Sequence, residues 1–242
     1  MRKKILYCMI LLAFAANISA QEPNINGSEL WEKVITYHDP KGIWEKFSGK
    51  VHLISVHANS NIYDEEFEVQ KEQDLYQAKR FAKDVIAIRG IKNGKCFNSV
   101  NGDNSPTDED VKKYNLSCED TKMYKEHHTC HIGLPMELKI SGVQVQDEVE
   151  MVEFQGKDRL ALKFIGYADK VKHPYYAGEW TLFIDPNTFA MKGMDFKSPD
   201  WNVYFIAYGE IEVNGIKMPM VKNYFNSNDD SHRFTDNFTL VK

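Results

Sequence analysis

The chain runs to 242 residues, 43% of them hydrophobic and 12% aromatic, which supplies the apolar material for a packed core and excludes a disordered protein. No Pro-, Ser- or Gly-rich linker divides it, so one large domain is expected rather than two. The net charge of −5, with no lysine-arginine cluster to offset it, repels phosphate backbones and excludes nucleic acid as a partner.

The chain opens with Arg2, Lys3 and Lys4, followed by an apolar run from Ile5 to Ala16 and by Asn17-Ile18-Ser19-Ala20 before Gln21. A positive start, a short apolar run and a small residue at the cleavage position read as a secretory signal peptide over residues 1–20. The run is too short to span a membrane. Cys8 lacks the small residues that should precede a lipid-modified cysteine. The expected mature chain, 21–242, is exported to the periplasm or secreted, has no transmembrane span, and carries −8 once the three basic residues are gone. ATP and nicotinamide cofactors are foreign to that compartment, and no cofactor is expected.

From Ser28 to His38 the spacing of Leu30, Trp31, Val34, Ile35 and Tyr37 predicts a helix, with Ser28 as N-cap, Glu32 as its capping partner and Asp39-Pro40-Lys41-Gly42 as the stop. Alternation then predicts strands at 51–57, 63–71, 75–81, 85–89 and 95–100, a sheet with one wet face. Residues 106–114 and 119–131 read as two helices, broken at Gly133-Leu134-Pro135. Strands return at 149–154, 159–167, 178–184, 190–197, 203–213, 216–225 and 233–241, with turns at Asp185-Pro186-Asn187 and Val213-Asn214-Gly215. The sum is an α+β protein: a large antiparallel sheet, an N-terminal helix and a central helical insertion.

Outside the signal, Cys96, Cys118 and Cys130 face an oxidising compartment as an odd set. The pair favoured is Cys96 with Cys118, which flank a polar loop; the alternative is three free, buried thiols.

The series Tyr37-His38-Asp39-Pro40-Lys41-Gly42-Ile43-Trp44, Ser117-Cys118-Glu119, Lys122-Met123-Tyr124, Gly133-Leu134-Pro135-Met136 and Phe183-Ile184-Asp185-Pro186 occurs in that order. It resembles a family of exported Gram-negative proteins grouped as a domain of unknown function, and the match covers the mature chain. That family is similar in expected architecture to the periplasmic outer-membrane lipoprotein carrier. The part most like the carrier is Phe183-Ile184-Asp185-Pro186 with Thr188, Ala190 and Met191. The resemblance implies a curved, half-open antiparallel barrel whose apolar concave face is partly covered by helices. It brings no catalytic residues.

Several constellations could carry chemistry. On a helix His127 and His131 share one face at i and i+4, and Cys130 could add a thiolate, so the three are candidate metal ligands. The glutamate of HExxH is missing, and such a patch reads first as partly exposed helix surface. His38-Asp39 reads as a helix stop rather than a general base with its carboxylate. There is no GxSxG elbow. The paired acids Glu65-Glu66, Asp108-Glu109-Asp110 and Asp229-Asp230 read as solvated turns or wet strand faces. The apolar candidates say more. Met123 and Met136 flank the helical insertion, and Trp180, Met194, Phe196, Tyr204 and Tyr208 lie on adjacent strands, an adaptable surface for a lipid, an acyl chain or a lipidated protein. The expected function is non-catalytic binding of such a ligand in the concave face. The alternatives are a metal-dependent envelope hydrolase using the His127–His131 cluster and an interaction protein whose concavity is filled by its own side chains.

Overall fold

The computed structural model describes residues 24–199 and 201–241, so the signal segment lies outside the described residues. Helix α1 (Gly27–His38) is capped by Asn26, two residues before the predicted cap. Asn26 Oδ1 accepts from the Glu29 N–H at 2.9 Å, and the Glu29 carboxylate accepts in return from the Asn26 N–H. This capping box displaces the predicted Ser28/Glu32 pair because asparagine caps as well as serine and sits where the helical turn starts. Asp39 ends the helix, its carboxylate accepting from the N–H groups of Ile43 at 2.9 Å and Trp44 at 2.8 Å.

A five-strand meander follows: β1 (Ser48–His57), β2 (Ile62–Gln70), β3 (Leu75–Ala82), β4 (Val85–Lys92) and β5 (Lys95–Val100). The chain then crosses as α2 (Asp108–Tyr114), α3 (Cys118–Gly133) and α4 (Met136–Ser141). A second meander runs through β6 (Gln144–Phe154), β7 (Lys157–Gly166), β8 (Gly178–Ile184), β9 (Met191–Lys197) and β10 (Asn202–Tyr208). Two predicted strands are each cut in two. Residues 203–213 divide into β10 and β11 (Ile211–Val213), and residues 216–225 into β12 (Ile216–Met218) and β13 (Val221–Asn226). Gly209, at φ +61°, turns the chain out of the sheet, and Pro219 has no N–H with which to continue a ladder.

The last strand, β14 (His232–Leu240), enters between the meanders and pairs with β1 on one side and β13 on the other. Among the described residues, twelve strands form one antiparallel sheet in the order β5-β4-β3-β2-β1-β14-β13-β10-β9-β8-β7-β6, open at both edges, while β11 and β12 form a separate ribbon. Helix α3 lies over the concave face, fixed at both ends. At its start Cys118 is joined to Cys96 of edge strand β5 by a disulfide, Cα to Cα 5.6 Å. At its end Gly133 packs on the Trp44 indole so closely that a Cβ would collide with the ring. One core cluster packs α1 on the second meander through Leu30, Val34, Leu162 and Leu182. A second gathers Trp44, Phe47, Val51, Phe67 and Ile132 beneath the end of α3.

Candidate functional site

Between α3 and the sheet lies a cavity of about 650 Å³. Its floor follows from strand register. Residues directly opposite on neighbouring antiparallel strands share a face, and the pairs Trp180↔Phe196, Phe196↔Val203, Met194↔Phe205, Phe205↔Tyr224 and Tyr224↔Phe234 carry aromatic and methionine side chains from β8 across to β14. Neighbouring rings touch along this row: Trp180–Phe196 centroids are 4.2 Å apart, Phe205–Tyr224 5.2 Å and Tyr224–Phe234 4.3 Å. Exposed Trp201 and Met123 stand among the lining residues.

The other flank, over β1 to β4, is ionic. Glu65 is opposite Arg80 in the β2–β3 ladder, and its Oε1 accepts from Arg80 Nε and Arg89 Nη2, each at 2.5 Å. Burial raises the Glu65 pKa, but Arg89 and Arg80 outweigh it and hold the carboxyl at about 2. Arg89, fully buried, also lies 3.6 Å from the Tyr124 ring centroid of α3, a cation–π contact that helps to seat the helix. Where the two flanks meet, Lys222 of β13 stands opposite Asp236 of β14, and Lys222 Nζ donates to the His131 carbonyl at 2.7 Å. Burial lowers the lysine pKa and raises the aspartate's.

The histidines of α3 face this cavity rather than solvent, correcting their reading as helix surface. Helix α3 has no apolar stripe; its inward positions hold polar residues, which therefore pass for outward ones. His128 stacks on Phe67 at 4.2 Å between centroids, and its Nδ1 lies 2.9 Å from the Tyr76 hydroxyl. His127 and His131 rings are 4.1 Å apart. Burial holds His127 at about 4, His128 at about 3 and His131 well below the usual range, so all three are neutral at pH 7. Burial pushes the Cys130 thiol up to about 12. Among the described residues no three His, Cys, Asp or Glu side chains converge as a metal site.

Of the sequence-predicted ligand residues, Met123, Trp180, Met194 and Phe196 line the cavity. Met136 does not; it is buried in the core beside Trp44. Tyr204 and Tyr208 lie on the outer face of β10, where Tyr204 stacks on Phe225 at 5.1 Å and donates to Asp230, while Tyr208 is half exposed. Both alternations of β10 are apolar, Val203-Phe205-Ala207 against Tyr204-Ile206-Tyr208, so period two alone does not choose the inner set; pairing with β9 does. His38 is a packing group. Its Nδ1 donates to the Lys217 carbonyl at 2.7 Å, its Nε2 accepts from the Met191 N–H, and burial holds it neutral with a pKa of about 4. Glu65, assigned above to a wet face, is among the most buried carboxylates. Its parity with Phe67 and Val69 was the available signal.

A family of unknown function, DUF6503, matches residues 2–240. The chain belongs to it. No curated protein matches the sequence. Among solved structures, a LolA superfamily protein from Nitrosomonas europaea is similar with a TM-score of 0.52 and 10% identity, over 90% of this chain and 94% of that one. A DUF1329 family protein from Desulfovibrio piger is similar with a TM-score of 0.49 and 8% identity, over 89% and 92%. At such identities the likeness to the first is one of fold, and this DUF6503 chain has the half-open antiparallel architecture of the LolA superfamily. No helix among its described residues is long and apolar enough to cross a membrane.

Proposed function

We propose that the chain is an exported, non-catalytic binding protein that holds an apolar ligand, a lipid, acyl chain or lipidated protein, in the concave face of its sheet. The observation that carries this reading is the cavity of about 650 Å³, floored by aromatic and methionine side chains that the helices cover but do not fill. A filled concavity, the interaction-protein alternative, is disfavoured by the same space. The LolA-superfamily fold and the signal-like N-terminal sequence are consistent with an envelope carrier. Met123, Trp180, Met194 and Phe196 of the expected set, joined by Phe205, Tyr224 and Phe234, supply the apolar contacts. Each 100 Å² of ligand apolar surface removed from water contributes roughly 2.5 kcal/mol before ordering costs. Adaptable methionine beside rigid rings suits ligands of variable chain length.

The metal-dependent alternative needs His127, His131 and Cys130 to act together. The thiol is held protonated by burial, and the third ligand is not at hand among the described residues. Native mass spectrometry of mature protein purified gently from its own envelope tests both readings. An acyl-bearing adduct is expected. A bare polypeptide mass together with no saturable binding of a fluorescent fatty acid refutes the carrier reading, and a stoichiometric zinc adduct would revive the metal site.

A further inference from the structure

The ionic flank of the cavity does not balance. Three cationic side chains, Arg80, Arg89 and Lys222, stand against two carboxylates, Glu65 and Asp236, and the histidines between them are neutral. Glu65 is shared by both guanidiniums. Asp236 stands opposite Lys222 in the β13–β14 ladder, and its Oδ2 lies 3.4 Å from His131 Nδ1. The comparison within the same molecule is the cluster around buried Glu137, which accepts from Lys71, Lys172 and the Trp44 indole N–H. There two lysines meet two carboxylates, Glu137 and Glu126, and the charges cancel.

Lys222 stands across from Asp236 but, among the described residues, makes no direct ion pair. Only 1% of it is exposed, and its Nζ lies 5.2 Å from each of the Phe205 and Phe238 ring centroids. Of its three N–H donors, one has a partner, the His131 carbonyl. Beside it the His131 ring, 5% exposed, has its Nδ1 3.4 Å from Asp236 Oδ2 and its Nε2 3.4 Å from the Tyr224 hydroxyl. Both side chains line the cavity at the point where the aromatic row begins. A buried cation with no carboxylate in direct contact is costly, and unused buried donors add to the cost. A ligand bringing one anionic head and one apolar chain removes both costs at once.

We propose that the cavity takes a free long-chain fatty acid, its carboxylate received by the unused N–H donors of Lys222 Nζ and its chain laid along Phe205, Met194, Phe196 and Trp180. The inference rests on the binding reading above and names the ligand class. The receiving donors are enclosed, which requires a small head taken inside rather than a bulky one left at the mouth. A volume of about 650 Å³ falls within the roughly 300–1,000 Å³ of sites for single small ligands.

Delipidated mature protein titrated with palmitate, methyl palmitate and hexadecyl phosphate tests this directly. Palmitate is expected to bind about 10-fold or more tightly than its methyl ester, the effect of one charge-assisted hydrogen bond. Lys222→Met should bring palmitate down to the ester's affinity and leave the ester unchanged. Equal binding of acid and ester by the unmodified chain overturns the head site while leaving the apolar cavity standing, and that comparison needs no variant to fold. Phosphate binding about 10-fold more tightly than carboxylate overturns the choice of head. Binding of none of the three overturns the cavity reading itself.

Discussion

Glu65→Gln should be among the most damaging single substitutions in this protein. The carboxylate is 2% exposed and is the partner of two guanidiniums, of which Arg89 is 1% exposed. Removing one member of a buried ion pair costs about 3–5 kcal/mol, because the remaining charge keeps its desolvation and loses its compensation. The titration behaviour leads to a similar figure. Glu65 is held at about 2 against an ordinary 4.5, which amounts to about 3 kcal/mol of net pairing left after burial is offset. Urea unfolding of the mature chain at pH 7.5 is therefore expected to show a loss of about 3–5 kcal/mol, with the slope unchanged. Because the folded pKa is depressed, this stabilisation is present above pH 4.5 and fades as pH falls towards 2, so the curves of the two proteins should converge at acid pH. Adding Arg89→Met to Glu65→Gln should recover part of the loss, since the buried charge goes with its partner. A loss below about 1 kcal/mol, the scale of an exposed pair, would refute the reasoning.

Three buried histidines, His38, His128 and His131, and the half-buried His127 are held neutral in the fold, so stability is fully present above 6.5 and falls as pH drops below it, by about 1.4 kcal/mol per pH unit for each proton withheld. Asp236, raised by burial, opposes this with one proton, and urea midpoints at pH 6.5 and 5.5 measure the net; a flat midpoint contradicts the burial of the α3 histidines. Gly133→Ala should destabilise by several kcal/mol and loosen α3 from Trp44, read by thermal melting and Trp fluorescence; an unchanged melt would mean that the helix end does not sit on the indole. Phe196→Ala should weaken a fluorescent fatty acid by about 10-fold through lost apolar contact, whereas Tyr204→Ala on the outer face should leave it unchanged. Equal effects of the two would reverse the face assignment. Replacing both Cys96 and Cys118 by serine should cost about 3 kcal/mol for a loop of this length, measured by urea unfolding.

The ionic flank was legible in principle and hidden in practice. Glu65 keeps the parity of Phe67 and Val69, Arg80 that of Tyr76 and Ala78, Arg89 that of Ala87 and Ile91, and Asp236 that of Phe234 and Phe238. Each is a charged residue in a run of inward-facing positions. Reading charge as outward discards it, because a lone buried charge is prohibitive and its partner lies on another strand. On α3 the same habit turned His128 and His131 into surface.

Composition and period two determined that this chain folds as an antiparallel sheet with an N-terminal helix and a helical insertion, since alternation, turn residues and caps are local properties of the chain. The Cys96–Cys118 bridge, too, was anticipated from its place around a polar loop. What only the tertiary structure decided is which face of β10 is inside, and that three cations and two carboxylates meet beneath one helix. Those facts depend on register between strands far apart in sequence, where a one-residue shift exchanges Phe205 for Tyr204 and would send Lys222 and Asp236 to the solvent.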